Sequence, residues 1–248
     1  MSILAYHKVD DRFEMGLTTV RPDRFKKHVR ALLDSGHRIV DSPDSSEGET
    51  KTTCLTFDDA YECFHRNVMP FLLELNLGAT LFVITDFIGK TNRWDVRLSL
   101  KPFLHMDAAQ LREASSAGME IGSHSCSHKD LTRLCDAELK NEVETSRKLI
   151  EDITGHQVKY ISFPFGRHDE RVVAAAREAG YVGLFGMGSR TADGVFARVP
   201  VYSIDSVAAV CRKAAGSNFE VIKSDFIHYF AGISALTSKW RTEKIAHN

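Results

Sequence analysis

The 248-residue sequence has no Cys-x-x-Cys pair, no excess of either charge and no apolar run long enough to cross a bilayer. Each absence excludes something. Its five cysteines (Cys54, Cys63, Cys126, Cys135 and Cys211) are scattered and odd in number. A disulfide framework uses an even number, usually in a shorter secreted chain, so these read as reduced thiols. With 32 Lys+Arg against 33 Asp+Glu and a net charge of −1, the chain lacks the basic footprint of a nucleic-acid binder, and no such partner is expected. The most apolar stretch, residues 68–85, contains Glu74, Asn76 and Gly78. It divides into a helix and a strand instead of a membrane span of about 20 residues. The N-terminus, MSILAYHKVDD, has no basic segment ahead of its short apolar run. No secretory leader is expected, and the expected location is cytoplasmic.

What is present is the composition of an ordinary globular protein, 43% hydrophobic and 26% charged. Strand-like and helix-like segments alternate along it. Residues 3–6 read as a strand, and Pro22 opens a helix with an apolar stripe (Phe25, Val29, Leu32, Leu33) that Gly36 ends. Strands are expected at 52–57, 79–85, 119–122, 159–163, 181–185 and 199–204. Helices are expected at 68–77, closed by Gly78, at 107–117, at 136–154 with Asp136 as N-cap, and at 169–179. Residues 86–105 read as an irregular insertion. Such alternation implies βαβ units and a parallel sheet. No linker or internal repeat breaks the chain, so the expectation is one domain over 1–248, with helical segments from about 206. A barrel is favoured over an open sheet because polar motifs follow several strands, where barrel sites are built.

Three motifs carry chemistry. Asp58 and Asp59 end an apolar strand, where an uncompensated buried charge would be costly. One of the pair can bind a cation while its neighbour stays available as a base. On this pair alone, two acids in a solvated loop or a helix N-cap remain the alternative. His124 and His128 lie four apart after another strand and could reach one ion; coincidence is the competing reading. Cys126, between them, reads as packing. If the two motifs meet at one end of a sheet, Asp59, His124 and His128 would supply three ligands and leave coordination open. The third motif, Phe163-Pro164-Phe165-Gly166, is a turn that could fix a backbone N–H as an oxyanion donor.

In combination, Thr56-Phe57-Asp58-Asp59, then Gly122-Ser123-His124-Ser125-Cys126-Ser127-His128-Lys129-Asp130-Leu131, then Phe163-Pro164-Phe165-Gly166 resemble the polysaccharide deacetylase family (NodB-homology domain, carbohydrate esterase family 4). The resemblance spans residues 3–204. It implies a distorted (β/α) barrel that uses one divalent metal ion, zinc in the first instance with Co, Ni or Fe as alternatives. The implied function is removal of N-acetyl groups from an amino sugar in a bacterial surface glycan or its precursor, such as O-antigen or exopolysaccharide. Other readings are a deformylase or related amidohydrolase of the same fold, or a catalytically weak glycan-binding relative. Carried over, Asp58 is the general base, and Asp59, His124 and His128 are the metal ligands. The backbone N–H of Phe165 is the oxyanion donor.

A family branch beginning Tyr-His-x-Val is similar to Tyr6-His7-Lys8-Val9 and implies His7 as catalytic acid, with Asp10 or Asp11 to orient it. His228 is the second candidate. Two positions depart from the family pattern. Ala60 stands where glycine is common, and is strained if φ there is positive. Ser162 stands where an arginine often pairs with the base, so the expectation is that Asp58 either has a less depressed pKa or borrows another cation, for which Arg167 is the candidate. Trp94, Tyr202, Phe196 and Trp240 could stack on a sugar or simply pack. The sequence leaves the oligomeric state open.

Overall fold

Six consecutive buried residues, Thr52–Phe57, form the strand to which the rest of the sheet is keyed. In this computed structural model the described residues are 1–12, 14, 16–45, 51–92, 102–188 and 194–217. In chain order the elements are β1 (Ser2–Tyr6), β2 (Lys8–Val9), β3 (Thr19–Val20), α1 (Pro22–Asp34), β4 (Arg38–Val40), β5 (Thr52–Phe57), α2 (Met69–Glu74), β6 (Thr80–Val83) and α3 (Ala108–Ser116). Then follow β7 (Glu120–Ser123), α4 (Asp136–Thr154), β8 (Tyr160–Ser162), α5 (Glu170–Glu178), β9 (Gly183–Met187), β10 (Val195–Pro200) and α6 (Val207–Ala214). Seven parallel strands run in the order β1-β10-β9-β8-β7-β6-β5, and pairing of β1 with β5 closes them into a barrel. The expected α/β barrel is observed.

The barrel is distorted at β5. β1 runs along it from Thr53 to Phe57. On the other edge β4 takes Thr52–Cys54 and β6 takes only Thr56 and Phe57. The backbone carbonyl of Asp41 fills the break, accepting bonds from the Thr80 hydroxyl and the Cys54 thiol. Gly78 is needed for this approach, since a Cβ there would lie 2.7 Å from that of Asp41.

Strand alternation divides the core in two. Leu4, Leu55, Leu81, Val83, Ile161 and Leu184 face outward into one large cluster with Phe25, Val29, Leu139, Val143 and Val172 of the helices. Ile3, Cys54, Phe82, Tyr160 and Phe185, one position away, form a second cluster inside the barrel, with Phe196 packed on it. The inward parity continues past the apolar layer. Cys54 leads to Thr56 and Asp58, Tyr160 to Ser162, Phe196 to Arg198, and Ile3 to Ala5 and His7. Simple alternation thus delivers polar side chains to the C-terminal mouth of the barrel, where βα loops build sites.

Several local expectations shift. The α2 segment ends earlier than expected: Asn76, at φ 53°, takes the left-handed position, and Gly78 serves the close approach instead. Cys135, not Asp136, is the N-cap residue of α4, and Glu138 accepts its N–H at 3.1 Å. The last strand begins at Val195, four residues before the expected 199. Of the expected C-terminal helices, Val207–Ala214 is described and the remainder lies outside the described residues. Among the described residues no helix is long and apolar enough to cross a membrane.

Candidate active site

β5 leaves the barrel through a turn that L-residues adopt at a cost. Asp58 extends the ladder, its N–H donating to Tyr6 O at 2.9 Å. Asp59 and Ala60 then take φ values of 70° and 49°, both left-handed. This region costs a non-glycine residue about 1–2 kcal/mol, so its surroundings must enforce it. Residues 102–106 do so. Met106 N–H donates to Ala60 O and Glu62 N–H to Leu104 O, both at 2.8 Å. The buried His105 donates from Nδ1 to Asp59 O at 2.6 Å and stacks on Tyr61. The strained turn sends the two adjacent carboxylates in different directions.

Asp58 meets Arg198. The guanidinium, 0% exposed, donates from Nη1 to Oδ1 at 2.7 Å and from Nη2 to Oδ2 at 2.9 Å. Arg198 also donates to Ser162 Oγ at 2.6 Å and Thr56 Oγ1 at 3.2 Å, and lies over the Phe82 ring. Burial alone would raise the Asp58 pKa. The charge of Arg198 is foremost among the opposing effects, and together with the neighbouring histidines and the Arg198 hydrogen bonds it outweighs burial and holds the carboxyl well below its usual range. Asp58 is therefore an ionised, immobilised carboxylate. The cation expected for it, Arg167, is committed elsewhere, to Asp130 at 2.8 Å. Ser162 is small enough to admit the longer reach from β10, and its hydroxyl accepts from the same guanidinium.

Asp59 meets the two histidines. One donor atom from each of Asp59, His124 and His128 lies within 4.8 Å of the others, and all three residues are buried. Asp59 Oδ1 is 3.7 Å from His124 Nε2 and 3.8 Å from His128 Nε2. Those separations exceed hydrogen-bond length. They suit atoms each about 2.0–2.2 Å from one shared ion. His124 donates from Nδ1 to Ser162 O at 2.7 Å, which leaves Nε2 bare toward Asp59. Burial lowers the pKa of both histidines and keeps them neutral, the state a ligand requires. The carboxylate and two neutral imidazoles fit a divalent ion such as zinc.

The remaining groups close around this centre. The turn Pro164–Gly166 holds Phe165 at φ 59°, with its ring edge-on to His128 at 4.7 Å. His7 follows β1 directly, beside Asp58 in the register that pairs Tyr6 with Phe57. Burial pushes its pKa down to about 4, against the opposing charge of Asp58. Neither aspartate expected to orient His7 does so. Asp10 is bound by Arg12 and Arg66, and Asp11 is exposed and paired with Arg21 at 3.4 Å. Tyr202 is buried and Phe196 packs in the barrel interior, so neither presents a sugar-stacking face. His228, Trp94 and Trp240 lie outside the described residues.

Sequence reasoning missed Arg198 and His105. Starting the last strand at 199 left Arg198 in a loop. Its signal was parity, since it stands two positions after Phe196 on the inward face. His105 lay in a stretch read as irregular, and nothing local marks it.

The polysaccharide deacetylase family profile matches residues 45–184. Among relatives, YxkH of Bacillus subtilis (strain 168), which also carries the polysaccharide deacetylase name, is 27% identical over 188 residues, covering 73% of this chain and 62% of the relative. The peptidoglycan-N-acetylmuramic acid deacetylase PdaA of the same strain is 29% identical over 138 residues, 54% of this chain and 46% of the relative. The chain spans less than two thirds of the length of these relatives. The Streptococcus pyogenes deacetylase PplD, solved in complex with acetate, shares the fold at 22% identity with a TM-score of 0.72, over 86% of this chain and 97% of that one.

Proposed function

The chain belongs to the polysaccharide deacetylase family, and from that premise we propose that it is a metal-dependent hydrolase acting on the N-acetyl group of an amino sugar. A bacterial surface glycan or its precursor is the substrate class. The observation that carries this reading is the division of labour between adjacent carboxylates. Asp59 turns to two neutral histidines, and Asp58 is held ionised by Arg198.

In this reading Asp59, His124 and His128 hold a divalent ion, zinc first, which when bound supplies Lewis acidity toward the acyl oxygen and acidifies water. Asp58 takes the proton from the attacking water. Both of its oxygens already accept from Arg198, but a carboxylate has about four lone-pair sites, so acceptor capacity remains. The N–H of Phe165 donates to the acyl oxygen as negative charge builds there. His7 protonates the leaving amine. It is neutral near pH 7 in the resting site, so its proton arrives during the reaction from the water that the neighbouring Asp58 deprotonates. A glycan precursor inside the cell is the proposed substrate, and the five unbridged cysteines are compatible with that location.

Asp58→Asn and His124→Ala test the assignment together. Asp58→Asn is expected to retain one ion per chain while deacetylation of N-acetylglucosamine oligomers falls about 10²–10⁴-fold. His124→Ala is expected to lose both. Near-normal turnover by metal-replete Asp58→Asn would remove the base from the scheme.

A further inference from the structure

The loop that carries His124 and His128 has an anchor outside the ligand set. Two of its residues, Ser125 at φ 65° and His128 at φ 58°, are left-handed without being glycine. One of these is a proposed ligand, so its orientation depends on whatever enforces that backbone. The loop's own serines account for part of the restraint. Ser125 N–H donates to Ser123 Oγ at 3.1 Å and His128 N–H to Ser125 Oγ at 3.2 Å. Ser123 Oγ in turn donates to Ser146 Oγ on α4 at 2.8 Å.

The rest falls on Glu142, two turns into α4 and 6% exposed. Its Oε2 accepts the N–H of Cys126 at 2.8 Å and of Ser127 at 2.9 Å, and its Oε1 accepts the Ser127 hydroxyl. The Cys126 thiol donates back to the Glu142 carbonyl at 3.4 Å. Every side-chain acceptor contact of this carboxylate is to the two residues midway between the histidines. Among the described residues no Lys or Arg lies within ion-pair distance of it. A buried carboxylate without a counter-cation is expensive unless its hydrogen bonds are worth keeping. A hydrophobic residue would pack α4 against β7 at lower cost. The charge is explained if its task is to fix the loop.

We propose that Glu142 is a positioning residue for the metal site: by clamping Cys126 and Ser127 it sets the separation and aim of His124 and His128. It touches neither substrate nor ion and acts through the backbone of the loop. The proposal rests on the metal-site reading above, and goes beyond it by placing control of that site in helix α4.

The test is Zn²⁺ affinity of the full chain by chelator competition, with Co²⁺ absorption as a report on coordination geometry. Wild-type protein is expected to bind one Zn²⁺, and Asp59→Ala none. Glu142→Gln keeps the shape but removes the charge, and its NH2 group takes the place of the oxygen that accepts the Ser127 hydroxyl. It is expected to bind Zn²⁺ 10–100-fold more weakly, the usual effect of losing such a support, with an altered Co²⁺ spectrum. Ser127→Ala removes one contact and is expected to weaken binding a few-fold. It also serves as the decisive variant if Glu142→Gln does not fold. Wild-type Zn²⁺ affinity and Co²⁺ spectrum in either folded variant, whatever its melting temperature, would overturn the proposal. Failure of the wild type to bind Zn²⁺, or retained binding in Asp59→Ala, would instead overturn the metal-site reading itself.

Discussion

Asp58 and Glu142 are both buried carboxylates at the mouth of the barrel, and they are stabilised in opposite ways. Asp58 is met by a buried guanidinium through two parallel hydrogen bonds, whereas Glu142 is met by backbone N–H groups and a hydroxyl. A guanidinium delivers full charge from across the barrel and leaves an ionised group in place for chemistry. Backbone amides deliver partial charge and, in return, the acceptor dictates the path of the chain that carries them. The first arrangement suits a reacting carboxylate, the second a support.

The comparison can be broken at its strongest point by removing the cation. Arg198→Met leaves Asp58 buried and unpaired, and is expected to destabilise the fold by about 3–5 kcal/mol, measured by urea unfolding. Stability unchanged to within ~1 kcal/mol would mean that the pair is not what holds Asp58.

Acid should separate the buried titratable groups, inside the site and beyond it, in order. His28 and His105 are buried and pushed down to about 4 from 6.5, so the unfolded chain takes up protons before the folded one does. Stability of the metal-free protein is therefore flat above pH 6.5 and falls between about 6.5 and 4, on the order of a few kcal/mol. The folded pKa of Asp58 lies below its ordinary value of 3.8, so its contribution is fully present above that pH and is lost only below it. Unfolding free energy measured from pH 8 to 4 checks the first part, and a flat profile would contradict it.

Stripping the ion with a chelator should affect the histidine side alone. If zinc at about 100 times its Kd stabilises the native state by about 2.7 kcal/mol, removal lowers Tm by about 5–10 °C. Asp59→Ala should show no such shift by calorimetry. The smallest effect is expected at the strained turn. Ala60→Gly relieves a positive φ at the expense of a freer unfolded chain, and should stabilise by about 0.5–1 kcal/mol with metal affinity unchanged. A loss of stability would mean that the left-handed turn carries no strain worth relieving.

Much of this arrangement was legible in the sequence. The apolar runs of β1, β5 and β6 and the helices opened by Pro22 and closed by Gly155 are written in short-range pattern. So was the positive φ at Ala60, where the family pattern has glycine. The three residues Asp59, His124 and His128 could be named from motif order, and the fold brings them within 4.8 Å. The partner of Asp58 was misread because Arg198 interrupts an otherwise apolar strand and so looks like loop. The roles expected of Arg167, Asp10 and Asp11 failed because each has a nearer opposite charge.

The sequence by itself determined the alternation of side chains along each strand and the order in which strands and helices follow one another. Both depend on covalent neighbours a few positions apart. Only the tertiary structure decided which cation meets Asp58, because Arg198 lies 140 residues away and reaches it through closure of the barrel. The same holds for His105 beneath Asp59 and Glu142 beneath the histidine loop. Their partners are backbone atoms, which carry no sequence signature, and only the packing of α4 and of residues 102–106 against the barrel mouth selects them.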